Sequence, residues 1–307
     1  MVFIPRRVAI LIVLLLSGFF ASAAAVFRVA TYNVENYLDQ ASGTRPAKSE
    51  AAKAKVRESI LALKPDVLAL QEIGATNVLL ELQASLKTNG LDLPFSEYVT
   101  GWDTNIHVAV LSRFPITASQ PHTNDTYLKN GKRFFVSRGF AQVDIQVSAS
   151  YAFTLITTHL KSKRPIPSAD EADMRLEEAK ILREKIDACL AANPKVNLVV
   201  LGDLNDLHNS QPVKTVIGAR GKKALVDTRP AERNGDNEPA SDRRLAARSV
   251  CWTHFYAVED TYSRIDYILI NHNMVQAWNP AETYVLALPN WGLASDHRPL
   301  VAGFTIP

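Results

Sequence analysis

Cysteine is nearly missing from this chain: 307 residues hold only Cys189 and Cys251. Two thiols without clustered partners do not suggest a structural zinc site. Whether they pair is left open by the sequence. Cys189 falls at an apolar-periodic position of an expected helix, where a buried free thiol accounts for it equally well. A dominant charge is also lacking, since the formal net charge is +3. Such a chain has no strong global field to draw it to nucleic acid, so any basic patch must be local. No short-period repeat is present, and no long aromatic hairpin insertion of the kind that docks on a membrane.

Long apolar runs are scarce as well, and the one that stands out is at the start. Arg6 and Arg7 precede an apolar stretch from Val8 to Phe20, followed by Ala21-Ser22-Ala23-Ala24-Ala25. This order reads as a signal peptide over residues 1–25, cleaved after Ala23 or Ala25. The competing reading is a transmembrane anchor, for which the run is short. No cysteine near the cleavage site offers a lipid anchor. Loss of Arg6 and Arg7 brings the formal charge from +3 to +1. The expectation is a secreted or periplasmic monomer over residues 26–307, without stable membrane insertion, and 47% hydrophobic content supplies a substantial core.

What is present is a series of apolar strands that end in polar side chains. Val196 to Leu201 is apolar and β-branched, as in a strand buried on both faces. It stops at Gly202 and is followed by Asp203, Asn205 and Asp206. Phe27 to Val34 predicts a strand with Asn33 and Glu35 at its end. Asp66 to Gln71 predicts another, ending in Glu72. Tyr151 to Thr158 predicts a third, ending in His159. Asp and Asn are also ordinary turn residues after strands, so one such ending means little. Their recurrence is the signal.

Helices are expected over Ser49–Lys64, stopped by Pro65, and from about Thr76, as N-cap, to Lys87. A long one is expected from the capping box Ser168-Ala169-Asp170-Glu171 to Ala192, and a short one over Asn209–Ile217. Further strands are predicted near Ser96–Thr100, His107–Leu111, Phe134–Val147, Val250–Tyr256, Arg264–Ile270, Thr283–Leu286 and Leu300–Phe304. Pro121 to Arg133 reads as a loop. Gly218 to Arg248 is the least ordered-looking part.

In order along the chain stand Thr31-Tyr32-Asn33-Val34-Glu35-Asn36, Leu70-Gln71-Glu72 and Thr158-His159-Leu160-Lys161-Ser162. Gly202-Asp203-Leu204-Asn205-Asp206, Arg264-Ile265-Asp266-Tyr267-Ile268 and Ser295-Asp296-His297 follow. In these motifs the chain resembles the endonuclease/exonuclease/phosphatase superfamily over about residues 27–304. The resemblance implies an α/β fold, a four-layer α/β/β/α sandwich with two mainly antiparallel sheets. It also implies hydrolysis of phosphoesters with a divalent metal, usually magnesium, with manganese or calcium as alternatives.

By resemblance, Glu72 holds the metal, with Asn33 as a second metal or phosphate contact and Glu35 and Asp296 as further metal-site acids. Asp203 orients or deprotonates the attacking water, and Asn205 holds that water or a phosphoryl oxygen. His159 and His297 donate to the phosphate as charge develops, and Asp266 orients His297. Arg138 and Lys161 are candidate substrate contacts. The competing reading for Asp266 is a structural acid paired with Arg264, and for Asp206 a turn or cap.

The resemblance does not fix the substrate. Local basic groups favour nucleic acid: Lys129, Lys132, Arg133 and Arg138; Lys161, Lys163 and Arg164; Arg243, Arg244 and Arg248. A phospholipid or an inositol phosphate is the alternative, with Tyr284, Leu286, Leu288 and Trp291 as an apolar lip. A non-catalytic binding module would have lost the site positions, and all of them are present.

Overall fold

The computed structural model describes residues 25–233 and 249–306. Residues 1–24 of the expected signal segment, and the group Arg243, Arg244 and Arg248, lie outside the described residues. The chain runs β1 (Ala25–Tyr37), α1 (Glu50–Leu63), β2 (Val67–Ile73), α2 (Thr76–Thr88), β3 (Phe95–Val99) and β4 (His107–Ser112). It continues through β5 (Ile116–His122), β6 (Thr126–Lys129), β7 (Lys132–Phe135), β8 (Phe140–Ser148), β9 (Tyr151–His159), α3 (Glu171–Ala192) and β10 (Leu198–Asp203). Then come α4 (Gln211–Ile217), β11 (Val226–Asp227), β12 (Ala231–Glu232), β13 (His254–Tyr256) and β14 (Thr261–Ser263). Last are β15 (Asp266–Ile270), α5 (His272–Val275), β16 (Trp278–Val285) and β17 (Leu300–Ile306).

Seven strands form one sheet in the order β12-β16-β17-β1-β2-β4-β3, and six form the other as β11-β15-β10-β9-β8-β5. Pairing is antiparallel except between β1 and β2, β9 and β10, and β12 and β16. The period-2 alternation of strand side chains sorts the core into three layers. Phe27, Val29, Val199 and Leu201 belong to the cluster between the sheets. Ala30 and Tyr32 pack against Val56, Ile60 and Leu82 of the first two helices. Leu198 and Val200 pack against Leu182 and Ile186 of α3 and Val213 of α4. The result is the four-layer α/β/β/α sandwich. No helix among the described residues is long and apolar enough to cross a membrane.

Each sheet contains one parallel βαβ unit, β1-α1-β2 and β9-α3-β10. The carboxyl ends of these four strands carry Asn33, Glu72, His159 and Asp203. The antiparallel register sets Asp266, at the start of β15, opposite Asp203. Strand parity then decides where the side chains go. Asn33 follows Val29 and Thr31, His159 follows Leu155 and Thr157, Asp203 follows Val199 and Leu201, and Asp266 precedes Ile268. All four therefore continue the inner faces of the sheets at one end of the sandwich.

Several local expectations are corrected. Pro121 lies in β5, an edge strand, where a missing N–H costs no ladder bond. The remainder of that expected loop holds the hairpin β6-β7, turned by Asn130 (φ 51°) and Gly131 (φ 73°). The strand expected over 134–147 is broken at Gly139, whose φ is +69° and where a Cβ would lie 2.6 Å from the His122 carbonyl oxygen. The long helix starts at Glu171, capped by Asp170 onto the Ala172 and Asp173 amides rather than by Ser168. Thr76 is the first helical residue of α2, and the N-cap is Ala75. The strand expected from Val250 begins at His254, and the one expected from Thr283 begins at Trp278. Both cysteines are free.

Gly202 tests the architecture. Its φ is +130°, and a Cβ there would lie 2.1 Å from the Thr158 carbonyl oxygen of the neighbouring strand. Gly202→Ala is expected to cost about 3 kcal/mol or more from backbone strain and overpacking together. Thermal melting checks it; an unchanged Tm would contradict this backbone geometry.

Candidate active site

Asp203 is the hub of the polar end of the sandwich. Its Oδ1 accepts from the Asn205 amide at 2.8 Å, and its Oδ2 accepts from Asn33 Nδ2 at 3.0 Å and Asn205 Nδ2 at 3.3 Å. His159 Nε2 and His297 Nε2 lie 3.5 and 3.7 Å from the same Oδ2. Burial, then the neighbouring Asp266 charge, push the Asp203 carboxyl up to about 7, against the pull of His297. A carboxyl poised there can both take and hold a proton near neutral pH.

The two imidazoles are driven in opposite directions. Burial, with Arg138, holds His159 well below its usual range, so it stays neutral. Its Nδ1 has no hydrogen-bond partner. Burial would also lower His297, but Asp266 outweighs it, with its Oδ2 2.8 Å from Nδ1, and lifts His297 well above the usual range. His297 is therefore a cation with Nε2–H directed toward Asp203. Asp266 is held by Thr253, whose Oγ1 accepts from the Ile265 and Asp266 amides at 3.1 Å. Arg264 instead pairs with Asp227 at 2.8 Å, so the competing pairing of Asp266 with Arg264 is not formed. Asp206 takes Arg175 at 2.9 Å, a structural partner.

Glu72, Glu35 and Asp296 make an acidic rim. Glu72 Oε1 accepts from Asn33 Nδ2 at 3.3 Å, and its Oε2 accepts from the Asn36 amide at 2.9 Å. As oriented, Asn33 presents its NH₂ to Glu72 and Asp203 and its oxygen to the Glu35 amide at 3.0 Å. In this orientation it bridges the two acids. Glu35 Oε2 accepts from the Asp296 amide at 3.2 Å. Burial, then Asp296, raise the Glu35 carboxyl, and Lys48 and Glu72 also act on it. Glu35, Asn36, Glu72 and Asn205 all have left-handed backbones, φ 42–62°. Such strain gathers where side chains must be aimed.

These oxygen donors suit a hard divalent cation, which takes one or two carboxylates and keeps several waters. Glu72 fits that role because its carboxylate has only N–H partners and its side chain keeps 18% exposure. Two mixed groups of donor atoms also converge within 4.8 Å: Asp203, Asp266 and His297, and His254, Asp296 and His297. The first is already filled by the His297–Asp266 bond.

Arg138 and Lys161 do not reach Asp203. The Lys161 ammonium donates to the Ser162 and Arg164 carbonyls at 3.1 and 2.8 Å. Arg138 donates to Leu160 O at 3.4 Å and sits 3.6 Å from Asp103. Both line an adjoining cleft. Of the expected apolar lip, Tyr284 and Leu286 pack into the layer under α1 and α2 instead.

Sequence reading missed three participants. Gln71 is fully buried and joins the sheets beneath the pocket, accepting from Thr31 Oγ1 and donating to Thr157 Oγ1, both at 3.1 Å. Its parity with Val67 and Ala69 was the available signal. His254 bridges to His297 and lies 3.5 Å from Asp296. Lys48 stands 3.9 Å from Glu35. Neither has a pattern in the sequence.

A profile described as the Endonuclease/Exonuclease/phosphatase family matches residues 30–297. No curated protein matches by sequence. Among solved structures, truncated Caenorhabditis elegans TDP2 is 15% identical with a TM-score of 0.59, covering 91% of this chain and 97% of that one. The human nocturnin catalytic domain is 19% identical with a TM-score of 0.61, covering 92% and 98%. Beta toxin from Staphylococcus aureus is 18% identical with a TM-score of 0.61, covering 90% and 99%. At these identities the three establish a shared fold.

Proposed function

The chain belongs to the endonuclease/exonuclease/phosphatase family, whose members are metal-dependent phosphoester hydrolases, and from that premise we propose an exported phosphodiesterase that acts on nucleic acid. The observation that carries this reading is the convergence on one Asp203 oxygen of Asn33 at 3.0 Å, His159 at 3.5 Å and His297 at 3.7 Å. Four distant segments meet there around a carboxyl poised near 7.

Asp203 takes the proton of the attacking water, with its own oxygens fixed by Asn33 and Asn205. Protonated His297, oriented by Asp266, donates from Nε2 to a phosphoryl oxygen as charge builds on it. Neutral His159 donates a second hydrogen bond and adds no charge that would lower the basicity of Asp203. Asn205 donates to the Leu160 carbonyl at 3.0 Å, which locks the loop after His159 to the Asp203 turn. Glu72 is the residue that would hold magnesium, or manganese or calcium, with Glu35 and Asp296 beside it. When bound, the cation supplies charge neutralisation at the phosphoryl group. The signal segment 1–25 and the mature domain 26–307 remain part of the proposal, as does a secreted or periplasmic location.

Purified protein assayed on DNA, RNA, sphingomyelin and an inositol phosphate, with and without chelator, tests the substrate. DNA cleavage that stops on chelation is the expected result. Faster hydrolysis of sphingomyelin or the inositol phosphate would replace nucleic acid as the substrate.

A further inference from the structure

Two basic stretches that are separate in the sequence meet in space. Arg133 and Arg138 from one, Lys161 and Arg164 from the other, and Arg45 from the loop before α1 line a single cleft of about 850 Å³. Among the described residues lining it, Asp103 is the one carboxylate. Arg45 pairs with Asp103 at 3.1 Å, and Arg138 Nε, 3.6 Å from it, is buried without a hydrogen-bond partner. Lys161 has the two carbonyl oxygens described above. Arg133 donates to Thr126 Oγ1 at 2.9 Å and Arg164 to Thr44 Oγ1 at 3.5 Å. Behind the wall, buried Glu178 is occupied by the Ser137 and Lys161 amides. Five cations thus face one acid, an arrangement that invites a polyvalent anion.

The cleft is electrically continuous with the hydrolytic pocket. Arg138, Arg45 and Lys161 all act on His159. Arg138 and Asn205 both donate to the Leu160 carbonyl. An anion in the cleft therefore sits on the His159 side of the phosphate to be split.

The cleft also has an aromatic wall. Trp102 lies flat on Phe135, with ring centroids 4.4 Å apart and planes within 5°. Trp102 is 66% exposed, so its other face is open to solvent. A rigid, open indole beside a basic groove is what stacks a nucleobase. A duplex keeps its bases stacked on one another, whereas a single strand offers a free face.

We infer that this cleft is a flanking-nucleotide subsite for single-stranded nucleic acid. A non-scissile phosphate sits among Arg133, Arg138, Lys161 and Arg164, and an unstacked base lies on Trp102. The inference rests on the phosphodiesterase reading of the neighbouring pocket and adds to it the form of the strand.

The test compares a single-stranded DNA 12-mer with bis(p-nitrophenyl) phosphate, which has one phosphate and no base. In Trp102→Ala, kcat/KM on the 12-mer is expected to fall about tenfold or more beyond any fall on the small diester. Trp102→Phe restores most of the loss. The paired substitution Arg133→Ala/Arg164→Ala should do the same and lower the salt-dependence slope on the 12-mer by up to about 0.7, the value for one phosphate contact. Equal falls on both substrates, or no fall on the 12-mer, would overturn the inference. So would a wild type that prefers duplex DNA or sphingomyelin vesicles to the 12-mer. Failure of the phosphodiesterase reading looks different, because the wild type then hydrolyses neither substrate with any added divalent metal.

Discussion

Asp203→Asn is expected to abolish hydrolysis, with kcat down by about 10³-fold or more, and at the same time to raise the melting temperature at pH 8 without metal. Both effects have one cause. The Asp203 carboxyl is fully buried, close to Asp266, and held at about 7. Its folded-state value lies above the unfolded 3.8, so the fold favours the protonated form. The stability it contributes is present below about pH 4 and is lost as pH rises through about 7. Above that, the ionised carboxylate works against folding. Asparagine keeps an oxygen for the Asn205 backbone amide and removes the charge, while its NH₂ turns toward the Asn33 and Asn205 side-chain donors. The gain expected at pH 8 is about 1–3 kcal/mol, less than the full shift implies because the Asn33 and Asn205 side-chain amides lose their Oδ2 acceptor. The gain should shrink as pH is lowered toward 4. Melting curves in chelator at pH 4, 6 and 8 read it directly. A variant less stable than wild type at pH 8 would show that the buried charge is satisfied rather than strained.

Glu72→Ala is the second large effect. Glu72 is a rim acid with a left-handed backbone at φ 62°, and its Oε1 lies 3.3 Å from Asn33 Nδ2 and 3.9 Å from His159 Nε2. A hard cation held by few carboxylates and water loses most of its binding when one is removed. The magnesium concentration giving half-maximal rate is expected to rise about 100-fold or more, with activity at 1 mM metal falling about 10³-fold. Glu72→Gln separates charge from shape. It retains an oxygen for the Asn36 amide, which Glu72 accepts at 2.9 Å, so it should fold as wild type and still lose metal affinity. An unchanged metal midpoint in both variants would move the cation to the Glu35–Asp296 side of the rim.

The sequence carried the strands with unusual clarity because β1, β2, β9 and β10 are buried on both faces. Val199 and Leu201 serve one core and Leu198 and Val200 another, and the apolar run ends where the two cores end. Polar side chains at those ends were therefore legible as a set. Their partners were less so. That Asn33 offers its NH₂ to Glu72 and Asp203 depends on which way an amide faces, which no pattern records. His254 reaches the site through a bridge to His297 across more than forty residues. The β6-β7 hairpin was hidden by its polar, basic composition, although Asn130-Gly131 is the turn that such a hairpin needs. The basic cleft was half legible: its two stretches stood out in the sequence, while their meeting around Trp102 is a product of the fold.

The most direct measurement is a single-turnover assay of bis(p-nitrophenyl) phosphate hydrolysis in ¹⁸O-water, with magnesium and with chelator, for wild type, Asp203→Asn and Glu72→Ala. The expected result is one ¹⁸O in the phosphoryl product of the wild type, full loss on chelation with recovery on readdition, and no detectable turnover in Asp203→Asn. Turnover that survives chelation, or that persists undiminished in Asp203→Asn, would contradict a cation-dependent pocket centred on that carboxylate.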